Sequence, residues 1–111
     1  MADEQKMDRE GLERVARVFQ AFSDATRLAI LQELKSGPCG VGTLVERVGG
    51  SQGNISKQLQ VLAETGFIRR EKKGNQVFYS IDDPRVFEMC NVVCSKLKSE
   101  AQEKAGFVFE I

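Results

Sequence analysis

The chain has 111 residues, 41% of them apolar and 29% charged, with a formal net charge of zero at pH 7. That is enough for one compact domain with a modest core and too little for two, and the balance is unlike that of a disordered chain. It excludes a uniformly cationic nucleic-acid binder but not a local basic patch, and no apolar run approaches the ~20 residues of a membrane span.

The leader MADEQKMDRE is polar and acidic, with the character of neither a secretory signal nor a transit peptide, so a cytoplasmic location is expected. In GLERVARVFQAF, Leu12, Val15, Phe19 and Phe22 recur at helical spacing with Val18 beside them, which predicts an amphipathic first helix. A second helix follows in SDATRLAILQELKSGP, with Ser23 as its cap, a stripe of Leu28, Leu31 and Leu34 flanked by Ile30, and Gly37 and Pro38 as its stop. VGTLVERVGG predicts a short helix from about Thr43 to Val48, ended by two glycines. SQGNISKQLQVLAETG predicts a fourth, capped by Ser51, apolar along Ile55, Leu59 and Leu62, and ended by Gly66.

The period then changes. FIRREKK and NQVFYSI lean towards strands, and the polar EKKGN between them signals a hairpin turn. DDPRVFEMCNVVCSKLKSEAQ predicts a last helix, with Pro84 in its first turn behind an acidic start. The pattern leaves EKAGFVFEI unassigned. No repeat or linker interrupts the chain, so residues 1–111 are expected to form one mainly α domain, ordered α-α-α-α-β-β-α with a two-stranded hairpin.

Residues 43–65 form a helix, a glycine turn and a second capped helix, with a basic hairpin over about 67–81 and a closing helix over about 83–101. That is a helix-turn-helix followed by a wing. Opposite its apolar stripe the second helix offers Ser51, Gln52, Asn54, Ser56, Lys57 and Gln60. Amides and hydroxyls can read base edges, and a lysine can pair with phosphate. The hairpin adds Arg69, Arg70, Lys72 and Lys73, offset by Glu71, and can rest on the DNA backbone or reach into the minor groove, giving a salt-dependent contribution to affinity. The remote alternative is a winged-helix module whose wing or recognition helix binds protein instead of DNA, and it would expose apolar residues where Gln52, Asn54 and Ser56 stand.

The segments SDATRLAIL, S-Q-x-N-I-S-x-x-L-x-V-L-x-x-x-G-x-I and R-R-E-x-x-G-x-x-x-F-Y-S-I together resemble the ArsR/SmtB family of winged-helix repressors. The resemblance implies a two-fold homodimer through the first and last helices and a palindromic double-stranded DNA operator. It also implies an inducer that lowers the affinity for that operator. The terminal helices are apolar enough to pair, through Val15, Phe19 and Phe22 on one and Phe87, Cys90, Val93, Cys94 and Leu97 on the other.

The chain has three cysteines and no histidine. Three cysteines cannot all pair within one chain, and a reducing compartment keeps them as thiols. The family's zinc-type site needs histidine, and its arsenic and cadmium site places Cys-Val-Cys before the recognition helix, where this chain reads CGVGTLVERV and holds only Cys39. Neither template transfers. Cys90 and Cys94 stand at i and i+4 on one helix face, their Cα atoms about 6 Å apart but their Cβ vectors nearly parallel. A direct disulfide there is strained, whereas a thiophilic ion or a bridge of extra sulfur atoms spans the pair with less distortion. Arsenite or another thiophilic metal ion, with Cys39 as a third thiolate, is one reading. Reactive sulfur or oxidant sensing is another, and plain burial of small apolar residues is a third. No cofactor is required, and with no histidine, Gly-rich phosphate loop or paired carboxylates an enzyme is not expected.

Overall fold

The computed structural model describes residues 5–100 and 108–111. The chain runs α1 (Arg9–Ala21), α2 (Ala25–Leu34), β1 (Cys39–Gly40), α3 (Val41–Val48), α4 (Gln52–Ala63), β2 (Ile68–Lys73), β3 (Gln76–Ile81) and α5 (Arg85–Glu100). Residue 101, the expected end of the last helix, lies outside the described residues. Among them, no helix is long and apolar enough to cross a membrane.

Local chemistry sets the helix starts. The Asp8 carboxylate accepts from the Gly11 N–H at 2.9 Å and caps α1. The cap of α2 is Asp24 and not the expected Ser23. Asp24 is extended (φ −139°, ψ 128°) and accepts from the Arg27 N–H at 3.1 Å, while the Ser23 hydroxyl turns back to donate to the Gln20 carbonyl at 2.8 Å. Ser51 caps α4 as expected, accepting from the Asn54 N–H at 3.1 Å. At the head of α5, the Asp83 carboxylate accepts from the Arg85 backbone at 3.0 Å and from its guanidinium at 2.7 Å. Those bonds hold the Asp83 carboxyl below its ordinary pKa. Pro84 sits one residue ahead of the helix, not inside its first turn.

The sheet has three strands and not two. β3 is central in the order β1-β3-β2, with Cys39 opposite Tyr79 and Arg70 opposite Tyr79 on the other side. β1 is only two residues long, and Gly40 ends it by becoming the extended N-cap of α3, which therefore begins at Val41, two residues before the expected Thr43. Between β2 and β3 only Gly74 and Asn75 turn the chain, and Gly74 takes φ +63°, the left-handed conformation that a two-residue hairpin demands.

The core gathers Ile30, Leu31 and Leu34 from α2, Leu44 from α3, Ile55, Leu59 and Leu62 from α4, Ile68 and Tyr79 from the sheet, and Val86 from α5. The Phe22 and Phe67 rings meet edge to face at 5.6 Å and tie the end of α1 to the foot of β2. The terminal helices otherwise bury little. Leu12 (52% exposed), Val15 (41%) and Phe19 (59%) on α1, and Val92 (71%) and Val93 (55%) on α5, face outward. The radius of gyration, 16.5 Å, exceeds the roughly 13 Å of a compact domain this long.

Arg27 joins three helices. Its Nε donates to the Ala21 carbonyl at 2.6 Å, one Nη to the Gln20 carbonyl at 3.2 Å, and the other Nη to the Gln58 side-chain oxygen. Both carbonyls lie in the last turn of α1, beyond the reach of its own N–H groups, and the Gln20 carbonyl also accepts from the Ser23 N–H at 3.1 Å and from its hydroxyl. Arg27→Met is expected to lower stability by about 1–3 kcal/mol, read as a fall in urea midpoint at constant m-value. A loss within about 0.5 kcal/mol would mean that the arginine contributes packing alone.

Candidate nucleic-acid interface and thiol cavity

α3 and α4 are joined by Gly49, Gly50 and Ser51, and both glycines take positive φ (95° and 97°). A side chain at either would be strained, so the turn depends on them. Ile55, Leu59 and Leu62 are fully buried, which fixes the rotation of α4 about its axis. The opposite edge follows from helical periodicity: Ser51, Gln52, Asn54, Lys57 and Gln60 are exposed and Ser56 is half-buried.

A groove of about 900 Å³ runs between α4, the start of α3 and the wing. Gln52, Ser56, Gln60 and Arg70 all line it, so four of the anticipated residues meet on one surface. Thr43, Asn75 and Gln76 line it too. Sequence reading passed over these three because they belong to a helix start and a hairpin turn whose approach to α4 is tertiary. Amide and hydroxyl groups arranged around a guanidinium suit base edges flanked by phosphate.

The wing does not use its four cations alike. Residues alternate faces along a strand. Arg70 reaches the groove, whereas Arg69 and Lys73 line a separate cavity on the α2 and α5 side of the sheet. Arg69 is also engaged, with Asp82 at 3.8 Å, Glu71 at 4.0 Å and the Ser80 hydroxyl at 3.4 Å. Lys72 shares the face of Arg70. Among the described residues, Lys57, Arg70, Lys72 and Lys73 have no ion-pair partner.

Gln58 is a further residue the sequence did not single out. Its Nε2 donates to the Asn54 Oδ1 at 3.1 Å while its own Oε1 accepts from Arg27. The chain Arg27–Gln58–Asn54 thus holds the Asn54 amide at the exposed edge. Its members lie far apart in sequence or on a face with no distinctive pattern, so no local signal marks them.

The thiols divide into two environments. Cys39 is buried in the main core on β1, and its thiol faces the Gly37 carbonyl at 3.6 Å and the Glu33 carbonyl at 4.0 Å. Cys90, buried, and Cys94, half-buried, line a different cavity of about 370 Å³ between α1, α2, α5 and residues 108–111. Cys39 lines no part of it, and among the described residues no group of three or more His, Cys, Asp or Glu side chains is gathered to hold a metal ion. A three-thiolate site within one chain is therefore absent from the described residues. Burial, and secondarily the neighbouring Cys94, pushes the Cys90 thiol above its ordinary pKa, so at neutral pH it keeps its proton.

Comparison with known proteins agrees with this geometry. A helix-turn-helix domain model matches residues 22–71. The HTH-type transcriptional regulator NmtR of Mycobacterium tuberculosis is 34% identical over 83 residues, 75% of this chain and 69% of its own. The crystal structure of the AntR antimony-specific transcriptional repressor superposes with a TM-score of 0.75 at 29% identity, covering 92% of this chain and 93% of that one. A solution structure from Mycobacterium bovis, a homodimeric winged helix-turn-helix DNA-binding domain of a possible ArsR-family regulator, gives a TM-score of 0.73 at 26% identity over 96% of this chain and 100% of that one. With the capped α4, the glycine turn and the basic wing in place, the chain belongs to the ArsR/SmtB family of winged helix-turn-helix DNA-binding transcriptional regulators.

Proposed function

We propose that this regulator is a cytoplasmic homodimeric repressor that sits on a palindromic double-stranded operator and leaves it when Cys90 and Cys94 take up a thiophilic metal or metalloid such as arsenite. The observation that carries the DNA reading is the groove shared by Gln52, Ser56, Gln60 and Arg70. Pairing of two chains is supported by the outward apolar faces of α1 and α5 and by the homodimeric Mycobacterium bovis neighbour. Two-fold pairing sets two α4 helices about one DNA turn apart, roughly 34 Å, to read two half-sites.

The sensing reading rests on where the thiol pair lies. Two soft donors on one turn of α5 suit a thiophilic ion, and their cavity is walled by α1, the other helix of the proposed interface. A ligand there would alter how α1 packs on α5, and with it the spacing of the two recognition helices. The antimony-specific relative supports the metalloid class.

On a palindromic promoter fragment followed by fluorescence anisotropy, Lys57→Ala and Arg70→Ala are each expected to weaken binding and to reduce the salt slope by about one. Arg69→Ala, already tied within the sheet, is expected to change the slope by less. Equal slopes for wild type, Lys57→Ala and Arg70→Ala would remove the interface.

The double variant Cys90→Ser/Cys94→Ser is expected to bind operator with wild-type affinity and to stay bound in arsenite that releases the wild type. Cys39→Ser is expected to release normally. Full release of the double variant would end the sensing role of the pair.

A further inference from the structure

The hydrogen bonds that join Arg27, Gln58 and Asn54 have a direction. Arginine carries N–H donors and no acceptor. The Arg27 guanidinium is seated on two acceptors, the Ala21 carbonyl at 2.6 Å and the Gln20 carbonyl at 3.2 Å. Whatever meets its other Nη must also accept, and half-buried Gln58 turns its Oε1 to it. That sends Gln58 Nε2 along α4 to Asn54, where the donor meets Oδ1 at 3.1 Å. The polarity set at Arg27 is thus handed through Gln58 to the surface.

Asn54 is exposed in the first turn of α4, and the N-terminal residues of a recognition helix are those that reach base edges. Its Oδ1 is committed to Gln58, while its Nδ2 has no partner among the described residues. An asparagine free at both corners clamps adenine, accepting from N6 and donating to N7. Asn54 held by Gln58 offers its donor corner alone. Neither residue lines the groove beside the wing, so this contact is separate from those of Gln52, Ser56 and Gln60.

We infer that Asn54 reads a base through a carbonyl oxygen in the major groove, guanine O6 or thymine O4, and that Gln58 fixes this choice. The inference rests on the DNA-binding reading above and deepens it by assigning a base class to one residue. At the same place adenine and cytosine present an exocyclic amine, which would set donor against donor. Gln58 touches no base in this arrangement and is a positioning residue.

Every base pair carries one carbonyl oxygen and one exocyclic amine in the major groove, on opposite strands, so the sign of the contact is read by deleting each group in turn. Wild type and Asn54→Ala are first used to select duplexes from a random library, and the pair whose preference is lost in Asn54→Ala is the one Asn54 contacts. At that pair the oxygen is deleted with 2-aminopurine for guanine or 5-methyl-2-pyrimidinone for thymine. The amine is deleted with purine for adenine or 2-pyrimidinone for cytosine. Loss of the oxygen is expected to weaken wild type about tenfold more than Asn54→Ala in fluorescence anisotropy. Loss of the amine is expected to affect the two proteins alike. In Gln58→Glu the carboxylate only accepts, so it draws in Asn54 Nδ2, leaves Oδ1 outward, and is expected to select the same pair in inverted orientation. Gln58→Met frees the amide and is expected to select both orientations alike.

A merely structural role for Gln58 would weaken binding without changing orientation, so persistence of the wild-type orientation in either Gln58 variant would overturn its positioning role. A wild-type loss specific to the amine, or an Asn54→Ala profile identical to that of the wild type, would overturn the inference while leaving DNA binding intact. A wild type that enriches no sequence at all would overturn the DNA reading itself.

Discussion

Three side chains, Ile55, Leu59 and Leu62, hold α4 at one rotation by burying one edge completely in the domain core. Once that edge is inside, the geometry of a helix sends Gln52, Asn54, Lys57 and Gln60 outward without further instruction. The Gly49–Gly50 turn sets the angle at which α3 leads into α4, and the Ser51 cap starts α4 at the surface. Arg27 and Gln58 then immobilise one of the outward amides. A side chain restrained before binding loses less freedom when it meets a base, which favours discrimination between sequences.

Electrostatics follow the same division of labour. With zero net charge there is no long-range attraction of the whole molecule for DNA, so recognition depends on cations placed locally. The strand alternation of β2 gives Arg70 and Lys72 to the groove side and commits Arg69 to Asp82, Glu71 and Ser80. The wing therefore has one side open to the groove and another on which Arg69 braces the sheet. The exposed apolar faces of α1 and α5 are left over from folding one chain. Surface of that kind on two long helices is accounted for when a second copy covers it.

Much of this was legible before any coordinates. The stripes on α2 and α4, the paired glycines before Ser51, and the change of period after Gly66 are local signals, and each led to the element observed. What stayed hidden was tertiary. Two residues, Cys39 and Gly40, carry too little pattern to announce a strand, and they form one only because β3 lies alongside. Asp24 displaced Ser23 as a cap because both are capping residues and only the backbone conformation chooses between them. The split of the wing cations was available from period-two alternation, but Arg69 pairing with Asp82 was not. The separation of Cys39 from Cys90 and Cys94 arises because α5 walls a cavity with α1 while β1 pairs with β3, which spacing along the chain does not encode.

The central claim is that two copies present their α4 edges in the same direction, one helical turn apart. Hydroxyl-radical footprinting of the protein on its palindromic operator, with the protein-to-duplex ratio fixed by sedimentation, tests it most directly. Two chains per duplex, with two protected segments centred about 10 base pairs apart on one face of the DNA, is the predicted result. A single protected segment bound by one chain, or protections on opposite faces of the duplex, would contradict it.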